Sequence, residues 1–266
     1  MIKHTLTILF ILNAVLYAQF PPGSRQSALG YAFTSVADDQ WSVYFNPAGL
    51  SKIKNLSAGI YYSPAPFGLS ELANGSVVLA KKFNFGGLGF SAKTFGFELF
   101  RETKISVVYA NSFFSDFSLG LKITYNSLSI KNYGNDYSIG IDFGVLSRLN
   151  ETFQLGFSAK NINRPTYGVN KEKLSQQFSG GISYKPLQNI LLVTEIEKEV
   201  RYPFNFKFGL EYFPIKFFAI RAGYNTEPNN YFAGIGLFYS NFNFNYSFIS
   251  NNYLGFTHSF GIDFNL

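Results

Sequence analysis

Residues 117–125 read FSLGLKITY. Phe117, Leu119, Leu121, Ile123 and Tyr125 share one parity, and Ser118, Gly120, Lys122 and Thr124 share the other. Side chains of an extended chain point alternately to opposite faces, so this stretch builds one apolar wall and one polar wall. The pattern returns along most of the chain. Phe153, Leu155, Phe157 and Ala159 stand against Gln154, Gly156, Ser158 and Lys160. Phe204, Phe206, Phe208, Leu210 and Tyr212 stand against Asn205, Lys207, Gly209 and Glu211, and Phe242, Phe244, Tyr246 and Phe248 against Asn241, Asn243, Asn245 and Ser247.

Polar or Gly/Pro turns divide residues 55–266 into alternating segments. Strands are expected at 55–62, 74–83, 84–95, 102–111, 116–128, 135–147 and 152–162, then at 175–185, 189–199, 203–213, 216–225, 230–240, 241–250 and 254–266. The count is about fourteen, an even number, as single-chain bacterial barrels have. Strands of ~9–11 residues would leave about five residues per connection, so the loops should be short.

Composition decides which wall meets water. Aromatic residues make up 19% of the chain, with 32 Phe and 18 Tyr, and charged residues only 14%. Soluble domains carry about 25% charge. A soluble β-sandwich would have to pack all these aromatic faces inward between two sheets. The polar parity holds Lys122, Asp142, Lys160, Glu195, Lys207, Glu211 and Arg221, which suits a wet interior. The expected fold is therefore all-β, a closed antiparallel transmembrane barrel with its aromatic face toward lipid. Tyr61, Tyr62, Tyr125, Tyr212 and Tyr253 lie near strand ends, where interfacial girdles form. The mean hydropathy of +0.05 agrees, since only alternate residues meet lipid.

The chain begins as an exported protein does. Lys3 and His4 precede an apolar run over 5–17, and Ala18 is a small residue before Gln19. This is the layout of a secretory signal peptide over 1–18. The run of roughly 13 residues is too short for a helix that must span ~20. Leu16 stands where a second small residue is usual, which leaves the cleavage point open by a few positions. With no Cys anywhere, a lipoprotein, a disulfide scaffold and a thiolate metal site are all excluded. The net charge of +6 comes from cations scattered singly through strands, with no patch that would serve nucleic acid.

One segment does not alternate. Residues 24–50, SRQSALGYAFTSVADDQWSVYFNPAGL, are rich in small side chains: Ser27, Ala28, Gly30, Ala32, Ser35 and Ala37. These allow close backbone packing. Asp38 and Asp39 stand just before 40–45, where either would cap a short helix by accepting free N–H groups. Asn46, Pro47, Ala48 and Gly49 would end that helix and turn the chain into the barrel. The segment resembles the N-terminal region of the FadL-like outer-membrane proteins, including the PorV/PorQ branch, in which a Gly/Ala-rich stretch and an acidic pair precede aromatic-Asn-Pro-Ala-Gly. Asp38, Asp39, Asn46, Pro47, Ala48 and Gly49 carry the likeness. It implies a fourteen-stranded barrel with residues 19–54 folded inside as a plug, and 55–266 as the barrel. The chain's end is similar to that of outer-membrane barrels, whose last strand is read by the insertion machinery. Phe260, Ile262 and Phe264 keep the parity, and Leu266 replaces the usual terminal Phe.

Little in the sequence suggests an enzyme. His258 is the single His left after the signal, and its parity is that of Phe256 and Phe260, the lipid side. A lone His without Cys serves neither a hydrolytic triad nor a metal site. Glu195 and Glu197 share one face ~7 Å apart, which suits paired carboxylates in principle. Their commoner role is a solvated lumen edge. Gly86, Gly87 and Gly89 precede no helix, so no phosphate loop is implied. No cofactor is expected. The resemblance implies an outer-membrane component of the type IX secretion system that binds cargo or partner proteins. The alternative it also implies is a channel for hydrophobic small molecules such as fatty acids and hydrocarbons.

Overall fold

Alternation of this kind leaves an extended chain one way to satisfy its backbone when the apolar face meets lipid: pair every strand and close the sheet. The computed structural model, which describes residues 20–114, 116–168 and 171–266, is such a closed sheet. The segment 1–18, expected to be an export signal, lies outside the described residues.

The first half of the wall comprises β1 (Leu56–Ser63), β2 (Asn74–Phe83), β3 (Gly86–Gly96), β4 (Phe100–Phe113), β5 (Phe117–Ile130), β6 (Gly134–Arg148) and β7 (Phe153–Lys160). A two-stranded hairpin, β8 (Thr166–Tyr167) and β9 (Glu172–Lys173), stands apart from it. The second half comprises β10 (Gln177–Leu187), β11 (Ile190–Glu199), β12 (Phe204–Ile215) and β13 (Phe218–Thr226). It ends with β14 (Asn229–Tyr239), β15 (Phe242–Asn251) and β16 (Gly255–Asn265). Fourteen strands form the barrel, each antiparallel to the next in sequence, with β7 beside β10. β1 pairs with β16 from Ser57↔Asn265 to Tyr62↔Phe260 and closes the ring.

The two faces divide as alternation demands. Ile123 is 50% exposed on the outside while Lys122 beside it is 7% exposed within. Phe206, Phe208, Phe244, Phe260 and Ile262 face outward with their parity mates, and Lys207, Glu211 and Asn245 are buried in the lumen. His258 lies on the outer face as expected, where its Nδ1 meets the Tyr246 hydroxyl at 2.7 Å. Among the described residues no helix is long and apolar enough to cross a membrane.

At the end that carries Asn265, the connections between strands are tight. The opposite end holds two longer ones, 64–73 and 161–176. The second departs from the expectation of uniformly short loops, and its reason is local. β7 pairs with β6 only over 143–148, which leaves the outer part of β6, paired with β5 on one edge, without a strand on the other. The loop covers that edge by imitating one. Asn163 Nδ2 donates to the Ile139 carbonyl at 2.7 Å, and its Oδ1 accepts from Ile141 N at 2.9 Å. Ile162 N donates to the Ile141 carbonyl at 2.9 Å, so the exposed edge is hydrogen-bonded.

Candidate functional site

The chain before β1 occupies the interior of the barrel. Between residues 22 and 50 only Arg25, Asp38 and Asp39 keep appreciable solvent contact. Two short helices, α1 (Ser24–Ala28) and α2 (Ser42–Phe45), and a 3-10 turn over Pro47–Lys52 give the segment its shape. Its aromatic side chains make a core of their own inside the wall. Phe33 packs edge-on against Phe45 at 5.5 Å between centroids, and Trp41 against Tyr61 of β1 at 6.2 Å. Cations of the lumen lie over these rings: Lys122 over Tyr44 at 5.6 Å and Lys160 over Phe45 at 5.8 Å.

The wall is shaped to receive this segment. At Gly120 of β5 a side chain would run into the Pro47–Ala48 backbone, at Gly144 of β6 into Asn46, and at Gly156 of β7 into the Thr34 carbonyl. Across the lumen, a Cβ at Gly209 of β12 would sit 2.7 Å from the Leu29 carbonyl oxygen, and one at Gly223 of β13 would strike Gly30. These glycines lie on the polar parity and let the inner segment lie directly against the backbone of the wall. The small residues Ser27, Ala28, Gly30, Ala32, Ser35 and Ala37 are all buried and supply the other half of the fit.

Hydrogen bonds fix the segment from opposite sides. Glu195 of β11 accepts from Phe33 N at 3.0 Å and Thr34 N at 2.8 Å, and its other oxygen faces Lys207 Nζ at 3.3 Å. Lys207 also pairs with Glu197. The two glutamates are therefore structural partners of a lysine and a backbone, not a free carboxylate pair. Trp41 Nε1 donates to Asp263 of β16 at 2.7 Å. Gln40 Nε2 donates to the same carboxylate at 2.6 Å and to the Ala58 carbonyl of β1 at 3.3 Å.

The expected motif residues are brought together, although their roles differ from those read in the sequence. Asp38 turns to Arg25 and does not cap α2. A guanidinium is the stronger partner. Arg25 reaches Asp38 at 2.6 Å, Asp39 at 3.1 Å and Glu211 of β12 at 2.7 Å. Glu211 in turn holds Arg221 of β13 at 2.6 Å. Asp39 also accepts from Trp41 N at 2.9 Å, directly before the helix, as a capping carboxylate would. Burial pushes the Asp39 carboxyl up to about 7, with Arg25 pulling the other way. Asn46 leaves the helix with φ −149° and ties three places together: its Nδ2 donates to the Thr34 and Val145 carbonyls at 2.8 Å each, and its Oδ1 accepts from Ala48 N at 3.1 Å. Pro47 then opens the 3-10 turn that contains Ala48 and Gly49. The turn stays inside the lumen before the chain reaches β1. At the other terminus, Phe260 and Ile262 face outward on β16, Phe264 is half-buried, and Leu266 is exposed with its N–H bonded to the Leu56 carbonyl at 2.9 Å.

A cavity opens at each end of the segment. The one at the tight-turn end, about 190 Å³, is bordered by Arg25, Asp39, Gln40, Phe238 and Asp263. The one at the end with the longer loops, also about 190 Å³, is bordered by Phe20, Tyr31, Tyr202, Lys207, Asn225 and Asn230 among others. The inner segment lies between them.

The sequence matches no protein-family model and none of the curated proteins. Solved structures do resemble the barrel. The CymD monoaromatic hydrocarbon channel superposes with a TM-score of 0.67 over 92% of this chain and 97% of its own, at 10% identity. At this identity the likeness is one of fold. The Ralstonia pickettii toluene transporter TbuX gives a TM-score of 0.66 at 10% identity over 92% of this chain and 98% of its own. The Pseudomonas putida toluene transporter TodX gives 0.64 at 10% identity, over 90% and 95%. The likeness of fold thus spans nearly the whole length of both partners.

Proposed function

We propose that this protein is an outer-membrane channel for small hydrophobic molecules, with its inner segment as the gate. The observation that carries the reading is a FadL-like barrel whose lumen is interrupted by one segment, with a cavity on either side of it. The outward band of Phe, Ile and Tyr supports a place in a lipid bilayer. Tight connections at one end and longer ones at the other support the usual orientation, short turns inward and long loops outward. In this reading 1–18 is the export signal, 19–54 the gate and 55–266 the channel wall. The last strand, through Phe260, Ile262, Phe264 and Leu266, addresses the insertion machinery, and the protein is not an enzyme.

The test uses the chain's lack of cysteine. A Cβ at Gly181 of β10 would lie 3.4 Å from that of Ser35, close to the ~3.5–4.5 Å of a disulfide. The double variant Ser35→Cys, Gly181→Cys should tether the segment to the wall when oxidised. Toluene uptake into proteoliposomes is expected to fall on oxidation and return on reduction. Uptake that ignores the tether would remove the gate, and no uptake by the wild type would remove the channel.

A second reading is a PorV/PorQ-like component of type IX secretion that holds partner proteins. The close backbone contact along Gly120, Gly156 and Gly223 favours it, because a segment so tightly seated suits a platform. Recovery of secretion components with the protein from native outer membranes would support it, and their absence would count against it.

A further inference from the structure

At the tight-turn end the outer wall carries a cluster that neither the lumen nor the inner segment uses. The outward parity of β2 runs Val77, Leu79, Lys81 and Phe83, and the first two are exposed with the rest of the apolar band. Lys81 interrupts that band. It is exposed, and its ammonium lies over the Phe83 ring at 5.3 Å. Phe83 stacks in turn on Phe85, 5.2 Å between centroids and 13° from parallel. Phe85 is exposed in the β2–β3 turn, and the Tyr109 hydroxyl of β4 donates to its carbonyl at 2.7 Å, which fixes the turn. Lys54, exposed just before β1, belongs to the same corner, because Lys81 is the register partner of Leu56 and Lys82 N donates to the Asn55 carbonyl at 3.2 Å. Lys82 has the other parity and turns inward to the Ser51 carbonyl at 2.8 Å.

The corner lacks a counter-charge. Among the described residues neither the Lys54 nor the Lys81 ammonium forms an ion pair or a hydrogen bond. Between residues 40 and 97 the one Asp or Glu is Glu71, in the loop at the opposite end of the barrel. Asp116, in the next turn around the rim, is held by Arg148 at 3.0 Å. The terminal carboxylate of Leu266, whose N–H bonds the Leu56 carbonyl, pairs with neither lysine among the described residues. A lysine on a lipid-facing wall lays its stem along apolar surface and sends its charge to the headgroup level, where an anionic phosphate is the complementary group.

We propose that this corner binds an anionic phospholipid, with Lys54 and Lys81 on the phosphate and Phe83 and Phe85 beside it at the interface. The acyl chains then lie along Val77, Leu79 and Phe90, the last two being register partners on β2 and β3. In the orientation proposed above this is the periplasmic leaflet. The proposal rests on the barrel's place in a bilayer and is independent of what crosses the lumen.

The experiment is native mass spectrometry of the detergent-purified full chain, incubated with equal amounts of phosphatidylglycerol and phosphatidylcholine of identical acyl chains. Two lysines at an anionic headgroup should favour phosphatidylglycerol at least about tenfold. Lys54→Gln with Lys81→Gln should bring the ratio close to one, and Lys81→Arg should retain it. Lys185→Gln with Lys216→Gln removes two other exposed cations of the same end and should leave most of the preference in place. Inorganic phosphate in excess should not displace the lipid, since it lacks the acyl chains. Heat-modifiable migration on gels confirms that each variant is folded. Equal adducts of both lipids on the wild type, or a Lys54→Gln, Lys81→Gln variant that keeps its ratio, would overturn the proposal. An equal loss in Lys185→Gln with Lys216→Gln would overturn it in favour of a diffuse positive rim, and displacement by inorganic phosphate in favour of a free anion. No step requires transport, so this result and that of toluene uptake are read separately.

Discussion

Replacing Glu195 by Ala should loosen the inner segment while leaving the barrel wall closed. In the wild type one carboxylate oxygen receives two backbone N–H groups, from Phe33 and Thr34, at 3.0 and 2.8 Å in a buried setting. Hydrogen bonds to a charged acceptor contribute about 1.5–3 kcal/mol each, so the pair holds this turn by about 3–6 kcal/mol. Lys207 does not become an isolated buried charge in the variant, because Glu197 still pairs with it. The loss is therefore concentrated on the segment. At about 1.4 kcal/mol per factor of ten, the exchange of these two amides should speed up by about a hundredfold or more. Glu195→Gln, which keeps an uncharged acceptor, should give a smaller rise. Hydrogen–deuterium exchange read by mass spectrometry on a peptide covering 29–41 measures it, with peptides from β4 and β5 as internal controls. Unchanged exchange at 29–41 would refute the reasoning. An equal rise in β4 and β5 would show that Glu195 supports the wall and not the segment.

Three further outcomes are expected. Gly120→Val and Gly223→Val push a side chain into the Pro47–Ala48 and Gly30 backbones, so limited proteolysis should begin to cut within 24–52; Gly180→Val, whose nearest neighbour lies 4.0 Å away, should not have this effect. Lys122 and Asp142 form a buried pair at 2.9 Å, so Lys122→Met or Asp142→Leu alone should cost about 3–5 kcal/mol in urea unfolding, and the double variant markedly less than their sum. Asp39 carries a carboxyl raised to about 7 in the folded protein, against roughly 3.9 in an unfolded chain. Its protonated form favours the folded state, so that contribution is complete at low pH and fades as pH climbs through about 7. Acrylamide quenching of Trp41, the chain's one tryptophan, should rise over that range and stay flat in Asp39→Asn.

Most of the wall was legible because lipid and water impose the same two-residue period on every strand. Each of the fourteen expected strands overlaps an observed one, including β3 at Gly86–Gly96, where Gly86, Gly87 and Gly96 blur the alternation. The loop 161–176 stands as the gap between the expected strands 152–162 and 175–185, although an average connection length conceals it; its pairing with the edge of β6 was not legible, because that contact is made by side chains across the fold. The interior was read only in part. The small side chains of 27–37 pointed to close packing, yet Gly120, Gly144, Gly156, Gly209 and Gly223 passed as ordinary members of a polar face. A glycine in a strand announces only that a side chain is missing, and the contact that forbids one lies far away in sequence. The acidic pair was read only in part, for a related reason: Asp39 does accept the N–H of Trp41 at the start of the helix. Neighbours along the chain show only the capping role, whereas Arg25, itself held by Glu211, reaches both carboxylates through the fold.

Trp41 and Gln40 touch both strands of the β1–β16 junction. The Trp41 ring lies against Gly59 of β1, where a Cβ would come within 2.8 Å of it, and its N–H reaches Asp263 of β16; Gln40 spans the same two strands. That junction joins the first strand made to the last, and it is the final pairing available to a chain that folds into a ring. A residue pair already inside can hold the last strand in register as it arrives, so the segment becomes a template for assembly as well as the occupant of the finished lumen. Trp41→Ala should then slow the appearance of the heat-modifiable form in refolding, and an unchanged rate would sink the idea. On this view the N-terminal segment is made first because the ring is closed around it.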